Sequence, residues 1–183
     1  MQKSSPIKTI VAIGIGAAVF FVLGRFVMIP SPVPNTNLTI QYGFLGLIAV
    51  VFGPVAGALA GFIGHTLIDL SWGGAPWFSW IIASAFVGLA IGIGCKGLNI
   101  NEGEFGKKGI IRFNVVQIIA NLIAWFLIAP GLDILIYSEP VEKLFAQGLL
   151  AGVLNSITTA IVGTLLLVAY AATKTKKGSL TKK

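Results

Sequence analysis

The sequence predicts an all-α fold: an integral membrane bundle of six transmembrane helices whose N- and C-termini are both cytoplasmic. Three observations lead to this prediction: the composition, a succession of apolar stretches, and the positions of the cations. Of 183 residues, 56% are hydrophobic and only 10% are charged, and the mean hydropathy is +0.92. A bilayer-spanning helix needs ~20 mostly apolar residues, and in lipid a helix satisfies its own backbone hydrogen bonds. The composition therefore excludes a water-soluble domain.

Prolines and glycines delimit the first three helices. Helix 1 is expected at residues 7–28, before a loop at residues 30–37 that contains three alternating prolines. Proline has a fixed φ and no backbone N–H, so these residues stop the helix and stiffen an extended loop. Helix 2 is expected at residues 39–52 and helix 3 at residues 54–70. A Gly-Pro pair separates them, and proline is tolerated in the first turn of the second helix.

The second half of the chain predicts three more helices. They are expected at residues 77–95, 110–129 and 141–172. The long polar stretch at residues 96–108 separates helices 4 and 5. Pro130 and Gly131 are expected to end helix 5, because proline interrupts helical hydrogen bonding. We expect a single six-helix transmembrane domain at residues 1–173 and a basic cytoplasmic tail at residues 174–183.

The cations set the predicted orientation. With six spans and a cytoplasmic N-terminus, eleven of the thirteen lysines and arginines fall on the inner side, and Arg25 and Lys143 are the exceptions. The inner cations are Lys3, Lys8, Lys96, Lys107, Lys108, Arg112, Lys174, Lys176, Lys177, Lys182 and Lys183. Cytoplasmic segments are enriched in lysine and arginine, so this split favours the stated topology. A re-entrant pair formed by helices 2 and 3 would leave four spans and the same orientation, so both span counts stay open. In a membrane protein, this excess of lysine and arginine indicates contact with anionic lipid headgroups rather than with nucleic acid.

Small residues recur at four-residue spacing on several predicted helices, which lets helices approach closely in lipid. Most of these ladders indicate packing inside the bundle. Helix 1 carries two such pairs, Ala12 with Gly16 and Gly14 with Ala18. A pair on this helix could instead form an outward face on which another subunit docks, and the spacing does not select between the two pairs.

Polar and aromatic residues cluster at the predicted outer end of the bundle. Polar side chains inside a membrane bundle are costly, which makes them functional candidates. The cluster contains Gln41, Tyr42, His65, Asp69, Trp72, Trp77, Trp80, Ser84, Asn121, Trp125, Gln147 and Asn155. The ligand-binding candidates among them are Gln41, His65, Asp69, Trp72, Trp80, Asn121, Trp125 and Asn155. Single tryptophans at this depth also act as interfacial anchors, and His65 with Asp69, four apart on one helix face, would equally form a structural pair. The combination of stacking rings, neutral amides and one acid–imidazole pair favours a site for a small, flat, polar heterocycle.

The residue inventory argues against catalysis. One histidine and one cysteine, Cys95, are too few for a typical metal site or a Cys/His nucleophile. A G-x-G-x-x-G match at residues 92–97 ends a membrane helix and follows no strand, so we interpret it as accidental. The sequence contains no P-loop motif, so the chain is not itself a P-loop ATPase. We therefore expect no enzyme activity, no metal and no cofactor, and Asp69 is the one acid placed to couple protons.

Four segments carry a pattern that extends over most of the chain. They are residues 7–18, the loop at 29–37, the stretch 52–69 with its G-F-I-G-H-x-x-x-D sequence, and P-W-F-S-W at 76–80. Together they resemble the substrate-binding S components of energy-coupling factor (ECF) transporters, in the riboflavin-type family and its uncharacterised membrane-protein relatives. The resemblance implies six helices and a vitamin site near the outer face of a bacterial cell membrane. It also implies assembly with a transmembrane coupling subunit and two cytoplasmic ATPase subunits.

By position, the resemblance assigns ligand binding to the loop after helix 1, the turn between helices 3 and 4, and the outer halves of helices 4 to 6. The corresponding residues are Asn35, Asn37, Trp72, Trp80, Asn121, Trp125 and Asn155. The resemblance also implies that helix 1 presents an A-x-x-x-A pattern to the coupling subunit. Either small-residue pair of helix 1 would match that pattern with glycine in place of one alanine.

The leading hypothesis is a binding subunit of an ABC-type importer, which captures a small vitamin or vitamin precursor for ATP-driven uptake. Hydroxymethylpyrimidine, a pyridoxine-like compound and riboflavin are the candidate ligands. The alternative is a stand-alone proton-coupled carrier that uses Asp69 and His65 as its relay. A membrane enzyme is a third hypothesis, which the residue inventory disfavours.

Overall fold

The computed structural model describes residues 5–174, which form six helices and one short β-ribbon. The helices are α1 (Pro6–Phe26), α2 (Gln41–Phe52), α3 (Pro54–Ser71), α4 (Phe78–Gly94), α5 (Lys107–Tyr137) and α6 (Val141–Ala172). The ribbon consists of β1 (Met28–Pro30) and β2 (Asn37–Thr39). Each predicted helix has a counterpart, and the predicted basic tail from residue 175 onward lies outside the described residues.

Four of the six helices, α1, α3, α5 and α6, are long and apolar enough to cross a membrane. Helix α2 has 12 residues and α4 has 17, and both are apolar but shorter. The prediction of an all-α, multi-pass membrane protein is therefore confirmed at the level of its fold class. The number of crossings and the sidedness of the termini stay predictions.

The proline-rich loop after α1 contains the antiparallel β-ribbon, which the sequence did not predict. Its strands are only three residues long each, too short to show a strand pattern. The Ser31 hydroxyl donates to the Thr36 carbonyl at 2.5 Å and closes the turn between the strands. Asn35 has a φ of 58°, a left-handed conformation that asparagine tolerates. The side-chain amide of Gln147 donates to the Pro34 carbonyl at 2.8 Å and ties this turn to α6.

Helix α5 does not end at Pro130, and that prediction was wrong. A π-helical turn at Ala124–Ile128 precedes the proline, where the Ala129 N–H bonds the Ala124 carbonyl. Proline normally disturbs a helix because it lacks an N–H and its ring crowds the carbonyl four residues earlier. A wide turn changes the hydrogen-bond register at that point and accommodates the ring. The helix therefore continues to Tyr137, and the residues after the proline belong to the bundle.

Glycines allow α3 and α4 to pack backbone against backbone. A Cβ on Gly57 would lie 2.7 Å from the Gly88 carbonyl oxygen, and a Cβ on Gly61 would lie 2.7 Å from the Ser84 carbonyl oxygen. Both distances are too short for any larger residue without a shift of the helices. The small residues of these two helices therefore serve packing inside the bundle.

The two small-residue pairs of α1 face different directions. Ala12 and Gly16 are buried, and a Cβ on Gly16 would lie 3.1 Å from the Cβ of Ala60 in α3. Gly14 and Ala18 are exposed, and a Cβ on Gly14 would meet no atom within 4 Å. Helix rotation therefore turns Ala12 and Gly16 into the bundle and leaves Gly14 and Ala18 exposed. Docking of another subunit on α1 stays a prediction.

The two ends of the bundle differ in charge. At one end, here called the basic end, Arg112 donates to the carbonyls of Gly94 at 2.8 Å and Lys96 at 3.0 Å, which ties α5 to the end of α4. The cations described at this end are Lys8, Lys96, Lys107, Lys108, Arg112 and Lys174. At the opposite end, here called the cavity end, the described cations are Arg25 and Lys143.

Candidate ligand-binding site

A cavity of about 720 Å³ lies at the cavity end of the bundle. Its walls come from the end of α1, the ribbon and its turn, the start of α2, the end of α3, the start of α4, the second half of α5 and the first half of α6. Ligand pockets usually measure about 300 to 1,000 Å³. The cavity therefore has room for a small heterocyclic ligand.

Part of the cavity wall is aromatic. The rings of Trp80 and Trp125 stack with their centroids 5.4 Å apart and their planes 29° apart. Tyr42 meets Trp125 edge-on at 5.3 Å, and Trp77 lies against Tyr137 at 4.3 Å. Indole and phenol rings combine apolar faces with polar groups on their edges. The wall therefore suits a flat ring that carries polar substituents.

Asp133 forms part of this wall, and the sequence analysis did not name it. Its carboxylate accepts hydrogen bonds from the indole N–H of Trp77 at 2.6 Å, from the indole N–H of Trp80 at 2.7 Å, and from the Ser79 hydroxyl. The side chain is 1% exposed and lines the cavity. The prediction placed Asp133 in a loop because Pro130 was expected to end the helix. The signal that could have located it was an isolated acid within an apolar segment.

His65 and Asp69 form a second polar cluster on α3. The His65 Nε2 atom lies 3.6 Å from the Asp69 Oδ1 atom, and the His65 Nδ1 atom lies 2.6 Å from the Ser84 hydroxyl. That hydroxyl also bonds the phenol of Tyr42 at 2.8 Å. The second Asp69 oxygen accepts the backbone N–H of Trp77 at 2.8 Å and so orients the start of α4. The pair thus has structural partners and still faces the cavity.

Nine of the ten residues predicted for ligand binding line this cavity. They are Asn35, Asn37, Gln41, His65, Asp69, Trp72, Trp80, Trp125 and Asn155. Residues from the ribbon turn and from five helices therefore meet at one place, and their contact with a ligand stays a prediction. Other lining residues, absent from the predicted site, are Tyr42, Trp77, Asp133, Glu139, Lys143 and Gln147.

Asn121 is the predicted site residue that does not line the cavity. It is fully buried, and its amide N–H groups donate to the Gln117 carbonyl at 2.9 Å and to the Gln117 side-chain oxygen at 3.1 Å. Its own side-chain oxygen accepts the indole N–H of Trp125 at 2.9 Å. The geometry therefore assigns Asn121 to holding Trp125 in place rather than to contacting a ligand.

Trp72 stands at the rim of the cavity and is 55% exposed. The Arg25 guanidinium carbon lies 3.8 Å from the centroid of its ring, and the Arg25 Nε donates to the Ser71 hydroxyl at 3.0 Å. One face of the Trp72 ring is therefore occupied by a cation. This contact leaves the stacked tryptophans of α4 and α5 as the principal aromatic surface.

Within residues 5–174, no group of three or more histidine, cysteine, aspartate or glutamate side chains is arranged to hold a metal ion. Cys95 lies just after α4 at the basic end, away from the cavity, and is buried. Burial raises the pKa of its thiol to about 11, which keeps the thiolate population small at neutral pH.

The fold and the cavity together define a class: a membrane-embedded helical bundle with a small-molecule binding site at one end. Residues 4–172 match the family described as ECF-type riboflavin transporter, S component, and the chain belongs to this family. The resemblance recognised in the sequence is therefore confirmed. The family is one of transporter subunits and not of enzymes.

Relatives match this chain over essentially their whole length. A "UPF0397 protein" of Enterococcus faecalis (strain ATCC 700802 / V583) is 54% identical over 182 residues, which is 100% of both chains. A "UPF0397 protein" of Clostridium perfringens (strain SM101 / Type A) is 55% identical over 183 residues, 100% of this chain and 99% of the relative. "UPF0397 protein YdcD" of Lactococcus lactis subsp. lactis (strain IL1403) is 50% identical over 181 residues, 99% of this chain and 100% of the relative. No solved structure matches the chain significantly.

Proposed function

We propose that this chain is the membrane-embedded substrate-binding subunit of an ECF-type ABC importer. It captures a small vitamin or vitamin precursor, of the hydroxymethylpyrimidine, pyridoxine or riboflavin kind, at the outer face of the bacterial cell membrane for ATP-driven uptake. The observation that carries the proposal is the cavity of about 720 Å³, in which a stacked tryptophan pair meets convergent amide and carboxylate groups. Family membership supports a substrate-binding role in transport.

The distribution of cations supports an outward-facing cavity end. Lysine and arginine are enriched on the cytoplasmic side of membrane proteins, and the basic end carries most of the described cations. In this orientation all six helices cross the membrane. The two shorter ones, α2 and α4, pack against α3 inside the bundle, where a local thinning of the bilayer accommodates their length.

Each part of the cavity has a proposed task. Trp80 and Trp125 provide the stacking surface, and Asn155 supplies polar atoms that select a ligand edge. The loop residues Asn35 and Asn37 cover the ligand from the side of the ribbon. The prolines already restrict the conformations of this loop before a ligand binds, so the loop loses little conformational entropy when it covers the ligand.

The same proposal requires partner subunits. The sequence contains no P-loop motif, so ATP hydrolysis has to come from two cytoplasmic ATPases, joined to this chain by a transmembrane coupling subunit. The exposed Gly14 and Ala18 of α1 form the proposed docking face, because small side chains permit close helix approach in lipid.

The direct test is identification of a ligand that the purified protein retains. Mass spectrometry of the denatured protein should release a vitamin or precursor in near-stoichiometric amount, and that compound should quench tryptophan fluorescence after correction for its own absorption. Failure of every candidate vitamin to bind, together with no retained compound, would contradict the proposal.

A stand-alone proton-coupled carrier is the second candidate, favoured by the 3.6 Å His65–Asp69 contact within the cavity. It predicts that the isolated chain in vesicles accumulates the ligand when a pH gradient is imposed. The importer proposal predicts no accumulation until the coupling subunit, the ATPases and ATP are supplied.

A further inference from the structure

We propose that the cavity binds a cationic ligand, in which positive charge is carried by, or conjugated with, a flat ring. This inference rests on the proposed function, since it names the chemical class of the ligand for the same cavity. It assigns a charge class to the ligand, which neither the family nor the relatives' names do, and it sets aside riboflavin and hydroxymethylpyrimidine, which are uncharged.

The first step concerns charge. Within residues 5–174, one ion pair with a lysine or arginine occurs, Lys143–Glu139 at 2.7 Å, and the His65 imidazole lies 3.6 Å from the Asp69 carboxyl group. The Lys143–Glu139 pair lines the cavity and cancels its own charge. Asp133 has three donors, all of them uncharged, and no cation of the described chain pairs with it. The cavity lining therefore contains a buried carboxyl group that no cation of the described residues pairs with.

A carboxyl group in this position favours a ligand of opposite charge. Each Asp133 oxygen accepts an indole N–H, a group that can only donate. Leaving a charge uncompensated in a low-dielectric interior is costly, and attraction to an opposite charge is strong there. Because Asp133 belongs to the cavity lining, a cationic ligand is the partner that can supply that charge.

The second step concerns the aromatic wall. The face of an indole or phenol ring is electron-rich and attracts cations. Trp80 donates its indole N–H to Asp133 at 2.7 Å, so ring and carboxylate lie side by side. Trp125 stacks on Trp80 and Tyr42 meets Trp125 edge-on. A flat cation can therefore gain stacking and electrostatic attraction from the same wall.

The third step concerns hydrogen-bond acceptors. Gln41 is 6% exposed and lines the cavity. Its side-chain oxygen is buried and accepts no hydrogen bond from any residue that the structure describes. Buried acceptors are normally satisfied, but this oxygen is packed against Gly24 of α1 and is closed to a ligand. The acceptors left to a ligand in the lining are therefore the carboxyl groups of Asp69 and Asp133.

The cavity should also reject anionic ligands. A phosphate ester or carboxylate would face Asp69 and Asp133 across the cavity, and like charges repel. The one lysine in the lining, Lys143, is already paired with Glu139. Phosphorylated forms of a vitamin should therefore bind more weakly than the free compound.

The test measures binding by isothermal titration calorimetry on the purified, detergent-solubilised protein. 1-Methylnicotinamide, nicotinamide and nicotinate share one ring and carry a positive, zero and negative charge. Thiamine adds a larger permanent cation, and riboflavin and hydroxymethylpyrimidine add uncharged vitamins. We expect a cation to be the tightest binder, and 1-methylnicotinamide to bind at least about tenfold more tightly than nicotinamide.

An uncharged or anionic compound as the tightest binder would overturn the inference and leave the proposed function standing. Binding of no compound at all would count against both. The variants Asp133→Asn and Asp69→Asn each remove a charge at nearly constant size. We expect each to lower the ratio of cation to neutral affinity by about tenfold.

The ratio is the informative readout, because a general loss of packing weakens both classes of ligand alike. If Asp133→Asn does not fold, the affinity ratio of Asp69→Asn decides the test. Glu142→Gln is the matched control, since this exposed carboxylate of α6 lies at the same end without lining the cavity. An unchanged ratio in both aspartate variants would contradict the inference.

Discussion

At the scale of single residues, two buried polar side chains hold the aromatic wall of the cavity. Asp133 accepts the indole N–H of Trp80 at 2.7 Å, and Asn121 accepts the indole N–H of Trp125 at 2.9 Å. Each ring is therefore oriented by an acceptor on its edge, and the two rings stack on one another. Such preorganisation lowers the conformational entropy lost when a ligand binds.

The variant Trp80→Ala removes one ring of the stacked pair and deprives Asp133 of a donor. Ligand affinity should fall by about tenfold, which corresponds to about 1.4 kcal/mol, as measured by calorimetry. The control is Phe78→Ala, since Phe78 is 46% exposed and does not line the cavity. Wild-type affinity in Trp80→Ala would show that the ligand does not use this wall.

The variant Asn121→Leu tests whether this residue acts through Trp125. It leaves the Trp125 indole N–H without its acceptor, and an unpaired buried polar group costs about 1–3 kcal/mol. We expect a lower unfolding temperature in detergent together with weaker ligand binding. Asn99→Leu, in the exposed loop at the basic end, should change neither property. Reduced binding at unchanged stability would instead indicate direct ligand contact by Asn121.

At the scale of elements, two helices owe their role to how their faces are oriented. In α5, the π turn before Pro130 extends the helix to Tyr137 and carries Asp133 into the cavity wall. In α1, one small-residue pair packs against α3 while the other is exposed. These arrangements place the second half of α5 in the cavity wall and leave one face of α1 exposed.

The variants Gly14→Leu and Gly16→Leu separate docking from internal packing on α1. Leucine at Gly14 meets open space, so stability should be unchanged and co-purification with the coupling subunit should fall several-fold. Leucine at Gly16 would press on Ala60 and Ile48, and overpacking of this kind costs about 1–3 kcal/mol. The unfolding temperature reports the second effect. Normal assembly of Gly14→Leu would exclude this face as the docking surface.

At the scale of the whole molecule, the separation of charge between the two ends orients the bundle. The basic end carries six of the eight described cations, and the cavity end carries the other two. Positive residues remain on the cytoplasmic side during membrane insertion. The cavity end should therefore face outward, where a substrate-binding subunit of an importer meets its ligand.

Cysteine labelling in intact cells tests that orientation. A membrane-impermeant maleimide should modify Asn35→Cys, in the ribbon turn at the cavity end, and should not modify Glu104→Cys at the basic end. The native Cys95 provides a low background, because it is buried and burial raises the pKa of its thiol to about 11. The reverse labelling pattern would invert the topology and contradict an outer binding site.

Sequence reasoning located most of the cavity because depth follows from sequence position in a helical bundle. Once the helices alternate in direction, His65, Trp80, Trp125 and Asn155 have to lie near the same end. The cavity lining agrees with that expectation for nine of the ten residues named. The failure at Pro130 arose because the general rule for proline does not anticipate a π turn that accommodates it.

The sequence by itself determined that the protein is embedded in a membrane, that it has six helices and which family it belongs to. It also determined the end of the bundle at which polar and aromatic residues gather. These follow from hydropathy, helix breakers and charge, which act locally along the chain. Only the tertiary structure decided which face of α1 is exposed, that Asn121 stands behind Trp125, and that Asp133 belongs to the site. The physical reason is that helix rotation and side-chain partners depend on contacts between distant segments: Asp133 bonds Trp77 across 56 positions of sequence.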